Sequence, residues 1–199
     1  RLVALSRALI GRIRGGLAQV NVLVSMFFAG MNGSVVADTA TVGALVLPAM
    51  KKAGYPAAFS AAVTGVSSTI GGIIPPSIMM IVLANATEIS IASLFAAGIV
   101  PGILIGVVIM VINHYFAVKY NFERSDEPFS VRRAGKELYR SSFALLIPLV
   151  LVGSVMGGVA SVVEAGAITA LVALFTGVFV YRTIKWKDCT GAFRRAFRN

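Results

Sequence analysis

One cysteine, one histidine and one tryptophan occur in 199 residues. With Cys189 alone, no disulfide can close within the chain and no cysteine-based metal cluster can form. His114 and Cys189 have no evident partners for a nucleophile–base pair or a metal set, which argues against an enzyme. Charge is also scarce. Asp, Glu, Lys and Arg make up 13% of the residues, against about 25% in soluble domains, whereas 57% are hydrophobic. A soluble domain would have to bury several apolar runs longer than its core helices need. Acids number 8 against 18 Lys and Arg, a net charge of +10. A basic balance can mean nucleic acid. Here the basic residues lie between apolar runs and form no single amphipathic surface, which is the positive-inside pattern of a membrane protein. The expected partner is a lipid bilayer, with no nucleic acid. No Met precedes Arg1 and no signal peptide of the usual form opens the chain, so an internal fragment of a longer protein is expected.

What is present is a series of apolar runs with unusual interruptions. Residues 57–84 form a run long enough to cross a bilayer, yet its middle is unsuited to a continuous helix. Gly71 and Gly72 cost helix stability, and Pro75 and Pro76 lack the N–H groups that a helix uses. Freed carbonyls at membrane depth are tolerated only where protein, water or an ion satisfies them. Ser67, Ser68, Thr69 and Ser77 add hydroxyl oxygens beside this break. Earlier in the chain, 17–31 and 35–50 are apolar but short of the ~20 residues needed to span. Asn32, Gly33 and Ser34 separate them.

Charge sets the topology. Basic clusters lie at 1–14, 51–52, 119–140 and 182–198, and an even number of crossings must separate each neighbouring pair if all are cytoplasmic. The reading is all-α and integral to the membrane. It comprises a basic membrane-surface segment (1–16), a re-entrant helical hairpin (17–50), and a region (51–118) with a broken transmembrane helix, a lateral helix near 90–98 and a transmembrane helix. A cytoplasmic linker (119–142), a transmembrane helix pair (143–181) and a basic cytoplasmic segment (182–199) follow. In the last segment, Trp186, Phe193 and Phe197 are candidate interface anchors.

The hairpin tip and the helix break are candidates for one site. Its expected lining is Asn32, Gly33, Ser34, Ser67, Ser68, Thr69, Gly72, Pro75 and Ser77, with Asp38 and Thr39 behind them. Gly33 permits the tight turn and Ser34 can cap the second arm. The N-terminus of that arm suits an anion, and open carbonyls and hydroxyls suit a hard cation such as sodium. Asp38 reads either as an early-helix carboxylate stabilised by the dipole or as a charge that helps balance sodium. Glu164, near a helix start, is expected to be a cap. The site needs no cofactor, with sodium as the coupling ion. A channel would need a filter-like repeat, and none is visible. A structural scaffold subunit is the serious alternative, although a scaffold does not need a polar break paired with a polar hairpin.

Several stretches, taken in order, resemble the large membrane subunit of tripartite ATP-independent periplasmic (TRAP) transporters. They are Phe28-Ala-Gly-Met-Asn-Gly-Ser-Val-Val-Ala-Asp-Thr-Ala, Leu47-Pro-Ala-Met-Lys-Lys-Ala-Gly-Tyr-Pro, Ser67-Ser-Thr-Ile-Gly-Gly-Ile-Ile-Pro-Pro-Ser and Ala97-Gly-Ile-Val-Pro-Gly. The pattern weakens at Gly158-Val-Ala-Ser-Val-Val-Glu-Ala, where the family usually reads Gly-x-Phe-Thr-Pro-Thr-Glu-Ala. The resemblance implies an elevator-type transporter half within an inverted-repeat fold. It implies sodium-driven uptake of a small organic acid, such as a C4-dicarboxylate or a sialic acid, across the bacterial inner membrane. It also implies two partners, a small membrane subunit and a periplasmic substrate-binding protein.

Overall fold

A computed structural model describes residues 2–10, 13–122 and 130–181. The basic segment 182–199 lies outside the described residues. The described elements are helical: α1 (Leu2–Ile10), α2 (Gly16–Asn32), α3 (Val35–Lys52), α4 (Ala57–Ser68), a 3₁₀ turn (Thr69–Gly72), α5 (Ile78–Thr87), α6 (Ile91–Lys119), α7 (Val131–Met156) and α8 (Val162–Phe175), which runs into a π turn (Thr176–Val180). Two compact units result, Arg1–Ser142 and Phe143–Asn199, and α7 runs through the boundary. Among the described residues, three helices are long and apolar enough to cross a membrane: Ile91–Lys119, Val131–Met156 and Val162–Val180.

In the first unit, α2 is the central element. Ala18, Val20, Val22, Val24 and Ala29 are buried, as are the polar Gln19, Asn21 and Ser25. Burial on nearly every side explains why its apolar residues show little helical periodicity. The helix packs against α1, α3, α4 and α6. Val42, Val46 and Met50 of α3, Val63 of α4, Ile70 of the 3₁₀ turn and Ile109 of α6 complete the core. Residues 2–10, read from sequence as part of a membrane-surface segment, form a helix whose Leu2, Leu5, Ala8 and Ile10 are buried. α3 starts on the Ser34 cap and ends with Lys51 and Lys52, which suit the negative end of its dipole.

Two expected boundaries shift. The separate lateral helix at 90–98 is instead the first part of α6, a single helix of 29 residues with Pro101 inside it. A proline removes one helical bond, and in an apolar setting the helix remains the way to satisfy the other backbone groups. Residues 131–142, assigned to the linker, are the first turns of α7. Their charges had masked a helical start.

α6 shows how lipid replaces water as the solvent. Gly98, Gly102, Gly106, Asn113 and Ala117 form its buried stripe, whereas Val100, Leu104, Val107, Val111 and Val118 are exposed. Small residues inside and large apolar ones outside are the arrangement of a helix that packs tightly on protein and faces hydrocarbon. At Gly98 the approach is to backbone. An added Cβ there would lie 2.5 Å from the Ile73 carbonyl oxygen, so α6 rests directly on the backbone of the helix break.

In the second unit, α8 begins at a complete capping box. Ser161 Oγ accepts from Glu164 N, and the Glu164 carboxylate accepts from Ser161 N at 2.8 Å. The stretch lacks the Thr-Pro-Thr of the family pattern, and Ser161 supplies the helix start there. Glu164 is the cap that the sequence reading expected. Replacing a serine cap by alanine costs helix stability. Ser161→Ala should therefore speed amide exchange in the first turn of α8 by on the order of fivefold, measured by hydrogen exchange in detergent, with α6 unchanged.

Candidate functional site

The hairpin tip is built by three residues. α2 ends at Asn32, and Gly33 turns the chain in the left-handed region, with φ 59° and ψ 16°. Its N–H donates to the Ala29 carbonyl at 3.2 Å. Ser34 is extended, and its hydroxyl accepts from Ala37 N at 3.4 Å, which caps α3.

The break is built by what Pro75 and Pro76 cannot do. α4 ends at Ser68, and the Ile70 carbonyl takes both Ile73 N and Ile74 N at 2.9 Å. Pro75 and Pro76 would be the helical donors to Gly71 and Gly72, and neither has an N–H. The Gly72 carbonyl instead accepts from the Ser77 hydroxyl at 2.8 Å. Ser77 Oγ also accepts from Met80 N, so the same side chain caps α5. The Pro75–Pro76 peptide bond is cis.

Tip and break meet. Ile78 N donates to the Gly33 carbonyl at 3.1 Å. A Cβ on Gly33 would stand 2.4 Å from the Pro76 oxygen. Gly71 lies beside Ser34 and Asp38, since a Cβ placed on it would be 3.6 Å from the Ser34 carbonyl and 3.7 Å from Asp38 Cβ. The N-termini of α3 and α5, each capped by a serine, therefore start at one place. Both present positive dipole ends there.

Behind the tip, Asp38 is completely buried, and no hydrogen bond of ordinary geometry reaches either of its carboxylate oxygens. The Ser68 and Ser25 hydroxyls face it. Ser68 Oγ is itself buried and unpartnered. An isolated buried carboxylate is expensive unless a counter-charge accompanies it. A carboxylate and hydroxyls make an oxygen donor set fit for a hard cation. Among the described residues, no group of three or more His, Cys, Asp or Glu could hold another metal.

The expected lining residues divide. Gly33, Ser34, Gly72 and Ser77 belong to the contact between tip and break, Pro75 lies buried within the break, and Asn32 ends α2 beside it. Ser68 faces Asp38. Ser67 is buried too, but its hydroxyl is engaged with Thr64 O at 3.1 Å and the Ser25 hydroxyl at 3.2 Å. Thr69 and Thr39 are exposed and bond back to their own helices, at Val66 O and Val35 O. That is the structural use of a hydroxyl in a membrane helix.

Four polar residues escaped the sequence reading. Asn21 Nδ2 donates to Thr64 Oγ1 at 2.7 Å, and Asn21 Oδ1 accepts from Ser67 Oγ at 3.4 Å. Ser25 closes the group through Ser67, and Thr64 Oγ1 donates to Ser60 O at 2.8 Å. The available signal was spacing. Asn21 and Ser25 lie four apart in α2, as do Ser60 and Thr64 in α4, so each pair shares a helical face.

The profile of the family described as "Tripartite ATP-independent periplasmic transporter, DctM component" matches residues 1–198. A C4-dicarboxylate TRAP transporter large permease protein of Pseudomonas aeruginosa is 37% identical over 189 residues, which cover 95% of this chain and 44% of that protein. A sialic acid TRAP transporter permease protein of Haemophilus influenzae is 35% identical over 188 residues, covering 94% and 30%. A 2,3-diketo-L-gulonate TRAP transporter large permease protein of Escherichia coli is 36% identical over 182 residues, covering 92% and 43%. The chain thus spans less than half the length of these relatives. A hairpin seated on a broken helix, three apolar helices of spanning length and a profile match along nearly the whole chain lead to one conclusion: the chain belongs to the DctM component family of the TRAP transporters.

Proposed function

We propose that this chain is half of a sodium-coupled transporter that takes up a small organic acid across the bacterial inner membrane. The buried, unpartnered carboxylate of Asp38 beside the Ser68 hydroxyl carries this reading. A buried negative charge of this kind calls for a cation, and oxygen-only donors favour a hard one such as sodium. The converging N-termini of α3 and α5 supply the complementary feature, two positive dipole ends where a carboxylate of the substrate can rest. The relatives' names fit an anionic cargo, a C4-dicarboxylate, a sialic acid and a diketo-gulonate. In this reading the helical hairpin is re-entrant. It moves with the broken helix as an elevator, and a second, inverted copy of the motif completes the substrate pocket. A small membrane subunit and a periplasmic binding protein work with it. A purely structural subunit leaves the orphaned carboxylate without a purpose.

The test is uptake into vesicles holding the full-length permease and its small subunit, with the binding protein outside. Radiolabelled succinate and sialic acid are offered with and without an inward sodium gradient. The expected result is uptake of an organic acid that needs both the gradient and the binding protein. Equal uptake without sodium would overturn the coupling. Efficient uptake by the membrane part alone would overturn the delivery scheme.

A further inference from the structure

We infer that Asn21 is a positioning residue for the cation site, acting by clamping the last turns of α4 through Thr64 and Ser67. The inference rests on the sodium-coupled reading and extends it to a residue outside the hairpin tip and the helix break. Asn21 is completely buried in α2. Its side chain reaches two successive turns of α4, Thr64 through Nδ2 and Ser67 through Oδ1. Nδ2 also approaches Met50 Sδ of α3 at 3.7 Å. One amide thus ties both arms of the hairpin to the last turns of α4, the turns that end at Ser68.

The bond directions fix how the amide sits. The Thr64 hydroxyl donates its single proton to Ser60 O, so toward Asn21 it offers only a lone pair. That requires the Nδ2 end of the amide to face Thr64, which turns Oδ1 toward Ser67. Ser67 Oγ lies 3.1 Å from Thr64 O and 3.4 Å from Asn21 Oδ1, both acceptors, so its proton is shared between the carbonyl of its own helix and the amide. The amide thus clamps α4 across the turns that end at Ser68, the hydroxyl beside Asp38, without itself lying at the tip or the break.

Gln19 provides an internal control. It sits two residues earlier on α2, is equally buried, and donates through Nε2 to the Met110 carbonyl of α6 at 2.8 Å. It is a buried polar side chain of the same helix whose bond goes to α6 and not to α4.

The experiment titrates sodium against initial uptake in vesicles holding the full-length permease with its partners, for wild type, Asn21→Leu, Thr64→Val and Gln19→Leu. Loss of a group that orients metal ligands typically weakens the metal by about 10-fold to 100-fold. The half-saturating sodium concentration should rise by about tenfold in Asn21→Leu and in Thr64→Val. At saturating sodium, the substrate concentration for half-maximal uptake should match wild type. Gln19→Leu should keep the wild-type sodium dependence even where it lowers the amount of inserted protein. Thr64→Val preserves shape and keeps the test decisive if Asn21→Leu does not insert. An unchanged half-saturation in whichever of the two variants inserts, or an equal rise in Gln19→Leu, overturns the inference. A wild-type protein whose uptake ignores sodium overturns the parent reading and this one with it. A sodium-dependent wild type with indifferent variants overturns this one alone.

Discussion

Gly33→Ala is expected to abolish the proposed sodium-driven uptake in the reconstituted transporter while still allowing the protein to insert. Two costs coincide at this position. The backbone lies at φ 59°, where a side chain with a Cβ costs about 1 kcal/mol or more. The larger cost is spatial. The new Cβ would sit 2.4 Å from the Pro76 oxygen and 3.2 Å from both Pro76 C and Ser77 Cα. These are backbone atoms of the break, and no flexible side chain can move aside to make room. The tip must lift, which breaks the Ile78 N to Gly33 O hydrogen bond and separates the N-termini of α3 and α5. A shift of that size at a binding site can lower turnover by about a hundredfold. Gly54 is the matched control. Its φ is +77°, yet a Cβ there would meet nothing within 4 Å. Gly54→Ala carries the strain without the collision and should retain most uptake. Comparable uptake by the two variants would show that the contact between tip and break does not matter.

Asp38→Asn should reverse the order of stability between sodium-free and sodium-rich buffer. The substitution keeps the shape of the side chain and removes its charge. Without sodium, wild type holds a buried carboxylate with only the Ser68 and Ser25 hydroxyls beside it, and removing such a charge should relieve the protein. The variant should therefore melt higher than wild type in choline buffer. With sodium, wild type should gain about 2.7 kcal/mol when the ion is present at a hundred times its Kd, and the variant should gain little. The two melting curves should thus cross as sodium replaces choline, and uptake by the variant should lose its response to the gradient. Parallel shifts of both proteins with sodium would remove Asp38 from the cation site. This readout needs no transport, so it stands apart from any effect on substrate binding.

The tip and the break were legible because each breaks a local rule. Asn32, Gly33 and Ser34 interrupt an apolar pattern, and Gly71, Gly72, Pro75 and Pro76 interrupt a helix. Residues that violate the demands of their own element stand out in a sequence. Asn21 and Ser25 violate nothing visible, since a buried membrane helix tolerates a few polar residues whose partners lie on other helices. Ser60, Thr64 and Ser67 likewise read as ordinary hydroxyls. The sequence reading divided α6 into a short lateral helix at 90–98 and a following span, because no local signal shows that two adjoining apolar stretches are one helix of 29 residues.

Composition and pattern alone determined the membrane class, the helical architecture, the hairpin and the break. Each follows from one constraint, that backbone groups in an apolar medium must be satisfied within the chain. Hydropathy and the placement of Gly and Pro report directly on that constraint. Only the tertiary structure decided that Gly33 rests on Pro76, that Asp38 lies buried beside Ser68, and that Thr39 and Thr69 turn away. Those facts depend on how α2, α3 and α4 pack around one another. The packing places residues 29 to 46 positions apart side by side, as with Asn21 and Thr64, whose separation is 43. A local sequence pattern extends over a few helical turns and carries no information at that range.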